Sequence, residues 1–136
     1  MIVADTSGLL ALFNQREPRH HEVRDLVETT ADPLVVSPYV VAELDYLVAG
    51  RLGVRAELAV LAELSGGAYE LAGICAVDLQ LAQQIVEQYS ELAIGVTDAS
   101  LVVLADRLRT RRILTLDHRH FDVLRPLAGG QFEVLP

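Results

Sequence analysis

The chain of 136 residues contains no lysine: all eleven of its basic residues are arginines, set against nineteen carboxylates. That absence removes several enzyme classes at once. A P-loop needs a lysine for its phosphates, and no GxxxxGK[ST] segment occurs. Receiver domains and haloacid-dehalogenase-type phosphatases set a lysine beside their aspartate. The phosphatases also want a second aspartate two residues later, and Ser7 stands there after Asp5. Cysteine is almost as scarce. Cys75 alone excludes an internal disulfide and a cysteine-based zinc cluster, and between Ile74 and Ala76 it is expected to be a small core hydrophobe.

Two further absences concern location and partners. No apolar run reaches membrane-spanning length, and neither a basic segment nor a cleavage pattern precedes Asp5. The expected compartment is therefore the cytoplasm, with no membrane partner. Bulk positive charge is missing too: a formal net charge of -8 and a pI near 4.8 argue against coating nucleic acid through a broad basic surface. What the chain does have is apolar surface, with 51% hydrophobic residues and a mean hydropathy of +0.33. Its length suits a single domain over 1–136, and the apolar excess fits either a general bias toward alanine, valine and leucine or a partner surface, including a homodimer contact.

Short apolar runs at Ile2 to Ala4, Leu34 to Val36, Tyr69 to Ala72, Ile113 to Leu116 and Phe132 to Leu135 read as strands. Helical patterns alternate with them. Leu9, Leu10 and Phe13 mark a first helix, and Val23, Leu26 and Val27 a second, preceded by Pro18. Ser37-Pro38 opens a third, ended by Gly50 to Gly53, because serine at the N-cap with proline at the first helical position is a favourable start. Glu57 to Leu64, Asp78 to Tyr89 and about Thr97 to Arg109 make three more. The alternation predicts an α/β fold with a mostly parallel sheet and helices on both faces. In such sheets ligands gather outside the carboxyl ends of the strands, where the strand order reverses.

Four carboxylates stand where that edge is expected: Asp5 in "IVADTSG", Glu43 in "SPYVVAELDYL", Asp98 in "IGVTDASLVVLA" and Asp117 in "ILTLDHRHF". Gathered acids repel one another and raise their own pKa values, so a cluster implies a cation, and hard divalent ions such as Mg²⁺ or Mn²⁺ take oxygen ligands. Each acid also has a plainer reading, since Asp5, Asp98 and Asp117 all sit where helix caps belong. Val40, Val41, Leu44, Leu47 and Val48 form the buried stripe of the third helix. Glu43 and Asp45 lie on its opposite shoulders, and periodicity leaves open which one faces inward.

Taken together, "MIVADTSGLLALF", "VVSPYVVAELDYL", "IGVTDASLVVLADRL" and "RILTLDHRHFDVLRP" resemble PIN-domain ribonucleases, specifically the VapC toxins of bacterial VapBC toxin-antitoxin pairs, over the whole chain. The resemblance implies a three-layer PIN-like fold with a central sheet of about five strands. It implies an endoribonuclease that uses Mg²⁺ or Mn²⁺ to hydrolyse loop RNA such as tRNA or rRNA, leaving 3'-OH and 5'-phosphate ends. By position, Asp5 and Asp98 match the family's metal ligands, Glu43 the glutamate of the third helix, and Asp117 a fourth acid. Thr6 and Thr115 match hydroxyls that orient the acids. Gly8 stands where the family often has alanine, and is expected to loosen the start of the first helix. The resemblance also implies a cognate VapB-type antitoxin, packed in a groove near the third and fourth helices.

Arg112, His118, Arg119 and His120 are candidate RNA contacts, because six of the eleven arginines, from Arg107 to Arg125, flank Asp117. A second basic group comprises Arg16, Arg19, His20, His21 and Arg24. Two other readings remain: a catalytically silent PIN-like binding module in which the acids are caps, and a housekeeping RNA-processing nuclease of the same fold.

Overall fold

Ile2, Val3 and Ala4 are fully buried and form β1 (Ile2–Ala4), the central strand of the sheet. The computed structural model describes all 136 residues. β1 pairs on one side with β2 (Leu34–Val36), which pairs in turn with β3 (Tyr69–Leu71). On its other side lies β4 (Arg112–Leu114), followed by β5 (Glu133–Leu135). All neighbours are parallel and the order is β3-β2-β1-β4-β5. Strands buried on both faces read as unbroken apolar runs rather than alternating ones, and "IVA" and "LVV" have that form.

Between β1 and β2 run α1 (Thr6–Phe13) and α2 (His20–Thr29); between β2 and β3 run α3 (Pro38–Leu52) and α4 (Val54–Ser65). The return from β3 to β4 carries α5 (Ala76–Gln88) and α6 (Val96–Arg107), and α7 (His118–Phe121) follows β4. Right-handed crossovers put α1 to α4 on one face and α5 and α6 on the other, which gives the three layers. α3 begins as its sequence predicts: Ser37 Oγ accepts from Tyr39 N–H at 3.2 Å with Pro38 in the first turn. The helix stops at Gly53, whose φ of 89° suits glycine.

One apolar core joins the layers, with Leu9 of α1, Leu44 of α3, Leu101 and Leu104 of α6, and Phe121 of α7 packed around β1 and β4. Ser37 Oγ and Ser100 Oγ lie 2.8 Å apart and tie the start of α3 to α6. No helix is long and apolar enough to cross a membrane.

Two expectations need correction. Cys75 is exposed rather than core. It precedes α5 beside the edge strand β3, and its backbone N–H is taken by Asp78 Oδ2 at 3.0 Å. β4 ends at Leu114 rather than Leu116: Thr115 N–H still donates to Leu135 O at 3.0 Å, but Leu116 N–H turns to Ser7 Oγ at 2.9 Å.

Candidate active site at the carboxyl edge of the sheet

β1 leads to one side of the sheet through β2 and is paired on its other side with β4, so the strand order reverses between β1 and β4. Asp5 follows β1 directly, and its backbone N–H still donates to Leu114 O of β4 at 2.9 Å. Its carboxylate is almost fully buried and held from three directions. Thr6 N–H donates to Oδ1 at 2.7 Å, while Thr115 Oγ1 and Ser7 Oγ donate to Oδ2 at 2.7 and 2.9 Å. The close seat of α1 on β4 depends on Gly8: a Cβ there would lie 2.6 Å from Leu114 O and 2.7 Å from Leu114 Cγ. Gly8 therefore tightens the start of α1 against the sheet, contrary to the loosening expected of it.

Asp98 enters from the first turn of α6 and Asp117 from the loop after β4. His120 links them, with Nδ1 2.6 Å from Asp98 Oδ2 and 3.3 Å from Asp117 Oδ2. Asp117 also caps α7 through His120 N–H at 3.2 Å. Its own N–H donates to Thr115 Oγ1 at 3.0 Å, so one threonine fixes both Asp5 and Asp117. Glu43 reaches the same place from α3, accepting from Thr97 Oγ1 at 3.3 Å. Asp45 does not: it lies beside Glu57 on the other shoulder of the helix, where its carboxylate pushes the Glu57 pKa up.

Asp5, Glu43, Asp98, Asp117 and His120 line one cavity of about 450 Å³, together with Thr6, Ser7, Leu10, Leu47, Arg51, Gly95 and Thr97. Its electrostatics are those of crowded acids. Burial raises the Asp5 carboxyl above its ordinary range; hydrogen bonds from Thr115, Ser7 and Thr6 oppose the shift, and the Glu43 charge adds to it. Asp98 is pushed up to about 6, by burial first and then by the Asp5 charge, with His120 pulling the other way. Cap and cavity roles coincide, since Asp5 and Asp117 each accept from the helix they precede.

The other candidates divide. Thr115 orients two acids, but the Thr6 hydroxyl is buried without a partner. Sequence reasoning gave Thr6 a role that Ser7 fills, and Ser7 is recognisable only once α1 is seen against β4. Of the candidate RNA contacts, His120 lines the cavity, while His118 and Arg119 are exposed on α7, with His118 3.5 Å from Asp122. Arg112 is at the opposite end of β4, paired with Asp32 and near Glu133 at 3.7 Å. The second basic group is not a free patch either. Arg19 pairs with Glu22, Arg24 with Glu28, and His20 is buried with Nδ1 2.8 Å from Ala11 O.

Apart from the His120 imidazole, the donor set of the cavity is made of carboxylate and hydroxyl oxygens, the chemistry that hard divalent cations require. Raised carboxyl pKa values and an orphaned Thr6 hydroxyl at its wall fit such an ion. No three acidic or imidazole groups already converge in ligating geometry, and the His120 imidazole engages Asp98. Asp5, Glu43, Asp98 and Asp117 are the residues able to hold one.

Comparison with known proteins agrees with this geometry. The PIN domain family model matches residues 2–125. Ribonuclease VapC26 of Mycobacterium tuberculosis is 59% identical over 135 residues, covering 99% of this chain and 100% of that protein. The crystal structure of Mycobacterium tuberculosis VapC20, described as a sarcin-ricin loop cleaving toxin, aligns over the whole of both chains with a TM-score of 0.86 at 24% identity. A toxin-antitoxin complex from Klebsiella pneumoniae aligns over 100% of this chain and 97% of its own, with a TM-score of 0.73 at 16% identity. These two structures speak to the fold; the family match and the 59% identity go further. The chain belongs to the PIN-domain family and is a VapC-type member of it.

Proposed function

We propose that this VapC-type protein is a metal-dependent endoribonuclease toxin that hydrolyses phosphodiester bonds in loops of tRNA or rRNA and is neutralised by a cognate antitoxin. The observation that carries the reading is the set of four carboxylates in one open cavity at the strand reversal, two of them with raised pKa values and none paired with an arginine. Holding acids in that state costs stability unless a cation offsets it. Asp5, Asp98, Glu43 and Asp117 would hold Mg²⁺ or Mn²⁺. When bound, such an ion supplies an activated water and offsets charge on the reacting phosphate.

This chain's own residues define the rest. Thr115 and Ser7 fix Asp5, and the Ser7 hydroxyl is fully engaged as donor to Asp5 and acceptor of Leu116 N–H, so it is not a free nucleophile. Cys75 does not line the cavity. With no protein nucleophile at hand, and with the ends that the resemblance to PIN-domain ribonucleases implies, water is the attacking group: its oxygen bonds to phosphorus as the bond to the 3'-oxygen breaks, leaving a 3'-OH and a 5'-phosphate. A net charge of -8 disfavours a long duplex footprint and suits a splayed loop that presents few phosphates.

For the antitoxin, a hollow of about 550 Å³ among α1, α2, α3 and α4 is lined by Leu12, Phe13, Leu52, Ala56, Val60 and Tyr69. Val54, Leu58 and Leu61 extend apolar surface along α4. For a homodimer, Val77, Leu79 and Val96 expose a second apolar face beside α5. The test is expression without any partner, beside Asp5→Asn and Asp98→Asn, with new RNA ends mapped across the transcriptome. Growth arrest and new ends with the wild type alone support the reading. Equal arrest by all three, or no cleavage of cellular RNA by purified protein with Mg²⁺ or Mn²⁺, overturns it in favour of a silent binding module.

A further inference from the structure

Glu43, Leu47 and Arg51 succeed one another at four-residue steps along α3, and all three line the acidic cavity. Such steps keep side chains on one face of a helix, so the stripe runs from the acids to the cavity rim, about 12 Å from the Cα of Glu43 to that of Arg51. Arg51 is the only arginine among the lining residues. It is exposed at the end of α3.

The chain holds nineteen carboxylates against eleven arginines, and Arg19, Arg24, Arg107 and Arg112 are all spent on acids. Arg51 has no such partner, although Glu43 is on its own helix and Asp45 and Glu57 share the hollow on its far side. Of the other polar side chains of the cavity, Thr97 is committed to Glu43, Ser7 to Asp5, and His120 to Asp98 and Asp117, and the unpartnered Thr6 hydroxyl carries no charge to offer a phosphate. Leu10 and Leu47 lie in the same wall.

We propose that Arg51 is a substrate-positioning residue, whose guanidinium receives a phosphate of the RNA strand flanking the one at the acids, with Leu10 and Leu47 beneath the intervening sugar or base. The inference rests on the nuclease reading above. A guanidinium fork suits two phosphate oxygens at once, and its charge stays fixed at any working pH. It gives a polyanion one attractive point on a wall that otherwise repels it, and it selects which way a strand crosses the cavity. The rival role, a cation that only complements the end of α3, makes different predictions.

The test compares Arg51→Ala, Arg51→Lys and, as a matched exposed arginine outside the cavity, Arg55→Ala. Binding of a short mixed-sequence single-stranded RNA is followed in an Asp98→Asn background against salt, and cleavage of total cellular RNA with Mn²⁺ is followed in the native background. Arg51→Ala is expected to weaken binding about tenfold and to flatten the slope of log affinity against log salt by about 0.7, the loss of one phosphate contact on a single strand. KM should rise with kcat within about twofold, since the lost interaction serves binding rather than the reacting bond. Arg51→Lys should keep the salt slope and lose part of the affinity, while Arg55→Ala changes neither. If the parent cleaves RNA and Arg51→Ala matches it in KM and salt slope, the Arg51 assignment is wrong and the nuclease reading stands. A parent that neither binds nor cleaves RNA overturns both.

Discussion

The two ends of the central sheet carry similar charges and treat them in opposite ways. At the amino end of the strands, Asp32 is paired with Arg112 and lies 3.5 Å from the Met1 amino group, and Glu133 lies 3.7 Å from Arg112. At the carboxyl end, Asp5, Asp98, Glu43 and Asp117 face one cavity with hydroxyls, one imidazole and no paired arginine. The first arrangement is what a chain does with charge when only folding is at stake. The second crowds acids whose burial and mutual repulsion raise their pKa values, and buried hydroxyls and backbone groups hold it in place. Acids left without an arginine partner at a sheet edge are therefore the informative ones.

The sharpest contrast comes from neutralising one acid at each end. Asp5→Asn or Asp98→Asn should lower RNA cleavage by roughly two orders of magnitude or more. Asp98→Asn should do so with no loss in melting temperature, because it relieves repulsion, whereas Asp5→Asn sets an amide NH2 among the Thr6, Ser7 and Thr115 donors and should lower it. End-labelled cleavage assays beside thermal denaturation check both halves. A smaller effect is expected at the seat of α1. In Gly8→Ala, a methyl placed 2.6 Å from Leu114 O must push α1 off β4, at a cost of about 1 to 3 kcal/mol. Chemical denaturation should show that loss, and activity should fall because Asp5 moves with the helix start.

Stability against pH separates the two ends again. The folded-state pKa of Asp98, about 6, stands above its ordinary value of 3.8, so the folded protein holds this proton longer than the unfolded chain does. The stabilisation is complete below the ordinary carboxylate range and is lost as pH rises through about 6, amounting to on the order of 1 to 2 kcal/mol once partial exposure is allowed for. Denaturation midpoints measured between pH 4 and 7 without divalent ions should fall in the wild type and flatten in Asp98→Asn. The smallest effect belongs to the amino end: Arg112→Ala should change stability by no more than about 1 kcal/mol, since its partners are well solvated, and leave cleavage as it was.

The sequence made the strands, the six main helices and the positions of the four acids legible, because each depends on local signals: apolar runs, caps, and carboxylates directly after strands. What stayed hidden depends on which element packs against which. Arg112 and Asp117 are five residues apart, yet a strand advances about 3.3 Å per residue, so nearness in sequence put Arg112 at the wrong end of the sheet. Glu43 and Asp45 were equivalent by periodicity until α6 brought Thr97 to one of them. Ser7 and Gly8 gained their meaning only from β4, more than a hundred residues away. Cys75 sits in an apolar sequence, but it comes just after an edge strand, and a sheet edge leaves the adjoining chain in solvent.

If the carboxyl-end acids are kept free of arginine for a cation, that cation must bind there and nowhere else on the sheet. Titration calorimetry with Mn²⁺ at neutral pH on the wild type, Asp5→Asn, Asp98→Asn and the amino-end control Asp32→Asn measures this. Saturable binding in the wild type and Asp32→Asn, lost in Asp5→Asn and Asp98→Asn, is the expected result. No binding by the wild type, or binding that survives both carboxyl-end substitutions, would contradict it.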